Sequence, residues 1–219
     1  MNSEACFRVI ESRYSVSRET KDRLEHYVSL VRKWQPAQNL ISPKTLDQIW
    51  QRHVLDSAQL VMMKPEARTW LDIGSGAGFP GLVTAILMME KEEGGHVVLV
   101  ESNERKVAFL RTVIRETGCS AQVINGRIET VLADFDQQVD VISARALASF
   151  RQLCGFIQPV MTGQTSALFH KGREFAAEIE EASDEWVFDL LQHKSIVDDD
   201  SVIAEVRSLS PMTDISLVQ

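Results

Sequence analysis

The stretch Trp70 to Gly81, W-L-D-I-G-S-G-A-G-F-P-G, constrains this chain more than any other. Four glycines fall within eight residues, after an apolar pulse of Trp70, Leu71 and Ile73 and before an apolar run from Leu82 to Met89. The pattern reads as strand, turn, helix. Glycine lacks a Cβ, so such a turn can take positive φ and let a ligand approach the backbone, while the amides that open the next helix point outward at it. Pro80 suits the first turn of that helix, where its missing N–H has no partner to lose.

A turn of this kind binds a nucleotide-like ligand, and two cofactors compete for it. From Gly74 the turn reads G-x-G-x-G with Asp72 two residues ahead, the form usual for S-adenosylmethionine. From Gly76 it reads G-x-G-x-x-G, the dinucleotide fingerprint, and Glu101 lies twenty residues past Gly81, where that fingerprint wants a ribose carboxylate. The motif alone leaves both open.

The 219 residues suit one substantial unit with an extension, divided as an N-terminal helical cap over 1–64 and a ligand-binding core over 65–219. An apolar fraction of 44% and a charged fraction of 25% are ordinary for a soluble globular chain. The first twenty residues hold no signal-peptide apolar region, and no apolar run is long enough to span a bilayer. Cys6, Cys119 and Cys154 are odd in number and widely spaced, which reads as reduced thiols of a cytoplasmic protein, without a zinc site or disulfide framework. The net charge of −8 argues against a nucleic-acid partner only until it is divided along the chain. Residues 1–64 carry ten Lys/Arg against seven Asp/Glu, residues 65–173 eleven against twelve, and residues 174–219 two against twelve. The acidity belongs to the tail, so a phosphate-binding face remains open to the first two segments.

From Ser17 to Trp34, Leu24, Tyr27, Val28, Leu30, Val31 and Trp34 recur at helical spacing, and Pro36 is expected to end the helix. Ser42-Pro43 reads as a cap with a first-turn proline, opening a helix to about Met63 on which Arg52 and Asp56 can pair and His53 packs. After Gly94-Gly95, His96 to Val100 is a continuous apolar run, as in a strand buried on both faces, and Glu101 follows at its carboxyl end. Asn103 caps the next helix and Gly118 closes it. Three more strands are expected at Ala121 to Ile124, Val139 to Ser143 and Thr165 to His170, then an acidic helix from Glu174 and two β-like segments, Trp186 to Leu191 and Ser201 to Val206. Asp198-Asp199-Asp200 reads as the turn between them, since three consecutive aspartates lack the spacing of a calcium loop. Alternating strands and helices imply a mostly parallel, doubly wound sheet with an antiparallel C-terminal pair. In such a sheet Arg145 and Lys171, at strand exits, share a rim with Glu101 and the glycine turn, where they can meet phosphate.

Taken together, N-L-I-S-P at 39–43, R-H-V-L-D-S at 52–57, D-I-G-S-G-A-G-F-P-G at 72–81, E-S with K-V-A-F-L within 101–110, R-I-E at 127–129, S-A-R-A at 143–146 and H-K-G at 170–172 resemble the RsmG (GidB) family over roughly residues 20–175. The resemblance implies a class I (Rossmann-like) methyltransferase fold. It also implies methylation of N7 of a guanine in bacterial small-subunit (16S) ribosomal RNA, with S-adenosyl-L-methionine as donor and S-adenosyl-L-homocysteine as product. By the same resemblance Gly74 and Phe79 contact the donor, Ile128 and Glu129 border its adenine, and Arg145 closes the site between donor and RNA. Gly76, Gly78 and Glu101 join the donor-binding set from the reading of the turn and the strand end. Asn39, Arg52 and His53, in the block that flanks the guanine entrance, and Lys171 become candidate RNA contacts. No metal, membrane or second subunit is implied. The sequence departs from the family at its end, where Ser201-Val202-Ile203-Ala204 stands in place of an Arg-His pair leading the last strand.

The residues present suit that chemistry. Guanine N7 already holds an in-plane lone pair, so it needs no base to remove a proton before it attacks a sulfonium methyl, and Arg145 is assigned to positioning with no general base. Two rivals remain at this stage. A nicotinamide-dependent oxidoreductase would use the second register of the turn, and a non-catalytic ribosome-assembly factor would bind RNA without methyl transfer.

Overall fold

The computed structural model describes residues 1–91 and 94–213. Its strands are β1 (Thr69–Ile73), β2 (His96–Glu101), β3 (Ala121–Asn125), β4 (Val141–Arg145), β5 (Ser166–Lys171), β6 (Trp186–Lys194) and β7 (Val202–Pro211). They form one sheet in the order β3-β2-β1-β4-β5-β7-β6. The first five run parallel, and β7 is antiparallel to both β5 and β6. The strand order reverses between β1 and β4, which is where an open α/β sheet leaves a crevice at its carboxyl edge.

Both faces are buried at the central strands β1, β2, β4 and β5, which explains why these read as largely apolar runs rather than alternations. The edge strands β3 and β6 are only partly covered. Trp70, Val97, Leu99, Val141 and Leu168 belong to a core shared with α1 (Ser3–Glu11), α2 (Arg18–Gln38), α3 (Asp56–Met63), α4 (Gly81–Leu87) and α5 (Glu104–Thr117). Their strand neighbours Leu71, Val98, Val100, Ile142 and Ala167 face the other core, with α6 (Ile128–Ala133), α7 (Phe150–Ile157) and α8 (Phe175–Ser183). Each fully buried aliphatic or aromatic side chain contributes about 1.5–3 kcal/mol.

Three expectations need correction. Pro36 does not end α2, which continues through it to Gln38. Lying in the last turn, it removes a single backbone bond, and Asn39 then stops the helix in the left-handed region at φ 47°. The Gln35 side chain holds the exit on both sides, donating to the Ile41 carbonyl at 2.7 Å and accepting from its amide at 3.0 Å. Second, the helix expected from Pro43 to Met63 has three pitches: 3₁₀ over Pro43–Gln48, π over Trp50–Leu55, then α3. Ser42 makes no side-chain cap. Third, Arg52 and Asp56 do not pair with each other. Arg52 bonds Asp198, and Asp56 takes Arg145 at 3.3 Å. For Asp56 the charge-assisted contact to the largely buried Arg145 outweighs an exposed pair with Arg52 worth a few tenths of a kcal/mol. The helix α1, which is not among the expected elements although Cys6, Phe7 and Ile10 stand at helical spacing, is capped by Asn2 and buries those three residues.

Candidate active site at the carboxyl edge of the sheet

The glycine turn leaves β1 at the strand-order reversal. Gly74, Gly76 and Gly78 all have positive φ, at 64°, 58° and 92°, but they are needed for different reasons. A Cβ on Gly76 would meet nothing closer than 3.8 Å, so its backbone stays open to a ligand. A Cβ on Gly78 would come within 2.4 Å of Leu82, so this glycine serves packing. Gly81 is equally crowded, 2.2 Å from Leu99 and 2.7 Å from Asp72, which lets α4 lie against β2. Both overlapping registers of the motif are therefore used, one for the turn and one for helix–strand approach.

Three groups fix the turn in place. Tyr27 of α2 donates its hydroxyl to the Ala77 carbonyl at 2.6 Å. Glu101, buried at the end of β2, accepts the Gly76 amide at 2.8 Å on one carboxylate oxygen and the Asn103 amide at 2.8 Å on the other. Each oxygen keeps a further lone pair, enough to accept two hydroxyls of a ribose. Beneath the turn, Trp70 donates to Ser143 at 2.8 Å and Ser143 donates to Asp72 at 2.6 Å. Burial pushes the Asp72 carboxyl up to about 6.

Facing the turn is a cavity of about 560 Å³, lined among others by Ser42, Arg52, His53, Asp56, Gly74, Gly76, Phe79, Lys106, Arg145, His170 and Asp198. Phe79 is at its centre, with the Tyr27 and His53 rings each 5.0 Å away and the Arg145 guanidinium 5.4 Å over its face. Arg145 is the last residue of β4, and Ala146 after it takes φ 52°, a costly conformation for a residue with a Cβ. The guanidinium donates to the Arg52 carbonyl of the π-helix at 2.9 Å, to Asp56 at 3.3 Å and to His53 Nδ1 at 2.8 Å. An arginine can only donate, so His53 Nδ1 accepts and Nε2 carries the proton that Thr45 receives at 2.7 Å. Burial, with Arg145 and Arg52 alongside, lowers His53 to about 3, so its ring is neutral. His170 donates to the Asp56 carbonyl at 2.9 Å and is likewise lowered, chiefly by burial.

Of the residues read from the sequence, Gly74, Gly76, Phe79, Arg145, Arg52, His53 and Lys171 line this cavity. Glu101 supports it from below. Ile128 and Glu129 are not among its lining residues; they open α6 just past β3, whose exit Asn125 and Gly126 tie to the Glu101 carbonyl at 3.0 and 3.2 Å. One expected RNA contact is engaged within the fold. Lys171 has its ammonium on Glu178 at 2.6 Å and on the Ala148 carbonyl at 3.0 Å, so its charge is neutralised in the fold rather than offered to phosphate. Asn39 is the exposed left-handed cap of α2 and orders the chain into the lining residues Leu40 to Ser42. Sequence reasoning missed Lys106, Asp56 and His170 as lining residues. The only signal for any of them was their place inside the quoted blocks, Lys106 within 101–110, Asp56 within 52–57 and His170 within 170–172.

Comparison with known proteins agrees with this geometry. A family model described as rRNA small subunit methyltransferase G matches residues 20–205. Proteins named ribosomal RNA small subunit methyltransferase G are similar: one from Rhizobium meliloti (strain 1021) is 48% identical, over 90% of this chain and 93% of the relative. Another, from Sinorhizobium medicae (strain WSM419), is 49% identical over the same shares, 90% and 93%. Among solved structures, an SAH-bound methyltransferase of Podospora anserina aligns with TM-score 0.62 at 14% identity, covering 94% of this chain and 96% of the other. A ribosomal protein L11 methylase from Lactobacillus delbrueckii subsp. bulgaricus aligns at 0.55 and 15%, over 71% and 77%. These two likenesses establish the class I methyltransferase fold and nothing finer.

Proposed function

Because this chain belongs to the rRNA small subunit methyltransferase G family, we propose that it methylates N7 of a guanine in small-subunit (16S) ribosomal RNA, acting on the small subunit or an assembly intermediate of it. S-adenosyl-L-methionine is the donor, and family membership sets aside the nicotinamide alternative. The observation that carries the proposal is that the open Gly76 backbone and the Arg145–Phe79–His53 cluster line one and the same cavity.

The donor, when bound, supplies a methyl group activated on a sulfonium. The residues present suit it: Gly76 leaves the space its Cβ would fill, and the buried Glu101 carboxylate is the acceptor a ribose requires. Guanine N7 attacks through a lone pair already in place, so no side chain need take a proton first. His53 fits that requirement, being neutral with Nδ1 engaged by Arg145. The protein's work is alignment and exclusion of water. Phe79 gives the cavity an apolar wall. Arg145, fixed by three acceptors, orients the entering nucleotide without a conformational search. Since methylation leaves positive charge on the base, Arg145 acts by position and phosphate contact rather than by facing N7.

Incubation with methyl-labelled donor and unmodified small subunits, followed by nucleoside analysis, should give 7-methylguanosine as the labelled product. Label in any other nucleoside would overturn the N7 assignment. RNA binding with no label would favour the assembly-factor alternative.

A further inference from the structure

Two arginines at the mouth of the cavity are held by aspartates from the β6–β7 turn. Arg52 bonds Asp198, and Arg173, which follows the lining residue Gly172, bonds Asp200. The Arg52 contact holds Asp198 below the usual carboxylate range. The turn itself is fixed at its root. Gln59 of α3 accepts the Ile196 amide at 3.2 Å and donates to Ser195 at 3.4 Å, and Ser195 bonds the Ser201 carbonyl at 3.1 Å. The aspartates therefore stay while the long arginine side chains, 38% and 79% exposed, can swing. A guanidinium accepts a phosphate in the same forked geometry as a carboxylate, and exposed ion pairs of this kind are weak.

We infer that Asp198 and Asp200 stand in for RNA phosphates, holding Arg52 and Arg173 until substrate backbone displaces them, and that their charge then selects against RNA that fits poorly. The inference rests on the RNA-methyltransferase reading of the site. Any RNA entering must break both pairs and bring its phosphates toward two fixed carboxylates. The cost is common to every RNA and leaves the affinity ratio unchanged. Only RNA that also fills the cavity recovers enough to stay bound, so the acidic turn lowers all binding and pushes poorly fitting RNA below useful affinity. Lys171, the last residue of β5, pairs with Val202, so Arg173, two residues beyond the strand, lies at the same edge as this turn.

Asp199 provides the internal control, because it sits in the same turn and has no arginine bonded to it. Asparagine at 198 can still accept the Asp200 amide, which Asp198 now takes at 3.0 Å, so the turn should survive the exchange. The probe is a fluorescent hairpin RNA of arbitrary sequence, with affinity measured by anisotropy. Asp198→Asn and Asp200→Asn should each tighten binding about fivefold, and Asp199→Asn less than about twofold. Equal tightening in all three variants would reduce the effect to net charge and overturn the inference, as would no tightening in any. The same preparations are assayed for methyl transfer to small subunits. Wild-type protein that neither binds RNA nor methylates overturns the underlying reading and this inference with it, whereas normal methylation with unchanged affinities overturns the inference alone.

Discussion

Arg145 makes three contacts that a lysine could not reproduce: the Arg52 carbonyl, the Asp56 carboxylate and His53 Nδ1 diverge from one planar group lying over Phe79. An ammonium keeps the charge and loses the fork. Arg145→Lys should therefore lower kcat on small subunits about a hundredfold, the scale of a misplaced reacting pair, with donor affinity changed less than about threefold. Calorimetry with S-adenosylmethionine beside single-turnover methylation checks this, and near-normal turnover would remove Arg145 from the positioning role. Gly76 is the complementary test on the donor side. Its φ of 58° disfavours any side chain, by roughly 1–2 kcal/mol, while a Cβ there meets only solvent-accessible space. Gly76→Val should fold, with a slightly lower Tm, and lose donor affinity more than about tenfold, since the branched side chain occupies the ligand's approach. Wild-type affinity in that variant would show that the donor does not pass over Gly76.

At the scale of elements, the strand–turn–helix around the glycines, the doubly wound order and the antiparallel finish were legible because burial on both faces of the central strands writes itself into largely apolar runs. The helix pitches between Pro43 and Met63 were not, because apolar spacing is nearly blind to whether a turn closes at i+3, i+4 or i+5. The π turn matters, since the Arg52 carbonyl it presents is an acceptor for Arg145. Nor were the partners of Lys171 and Arg52 legible, as they come from Glu178 on α8 and Asp198 in the β6–β7 turn, contacts that only the tertiary fold creates. Packing of α2 against the glycine turn is a third such contact. Tyr27 is fully buried and its hydroxyl ends on the Ala77 carbonyl. Tyr27→Phe keeps the ring against Phe79 and deletes one hydrogen bond, so stability should fall about 1 kcal/mol. If α2 fixes the turn, donor affinity should fall with it, several-fold. A loss of stability without a loss of affinity, by urea titration and calorimetry on one preparation, would make Tyr27 a packing residue only.

For the whole molecule, two buried groups at the site pull the pH dependence of stability in opposite directions. His53 falls from an ordinary 6.5 to about 3, so between those values the unfolded chain binds a proton that the native protein refuses, and stability is lost as pH drops. Asp72 rises from 3.8 to about 6, so in that window the native protein holds the extra proton, and stability is lost as pH climbs. At about 1.4 kcal/mol per tenfold change in proton affinity, the first effect is on the order of 5 kcal/mol and the second on the order of 3 kcal/mol. They overlap between pH 3.8 and about 6, where one proton on each side nearly cancels, and the histidine prevails only above and below that window. His170, also lowered by burial, adds to the histidine side. Surface and half-buried carboxylates such as Asp140 and Glu205 contribute acid lability too, but equally in every variant, so differences between variants isolate the two site groups. Urea midpoints measured from pH 7 down to pH 4 should fall moderately for the wild type. Asp72→Asn, which keeps an acceptor for Ser143 but cannot titrate, should fall more steeply. His53→Asn should fall less below pH 6, because the Asp72 contribution then opposes only that of His170 and the carboxylates common to every variant. Three parallel curves would mean that neither group holds its site protonation state in the folded protein, and the neutral His53 on which the Arg145 geometry depends would have to be given up.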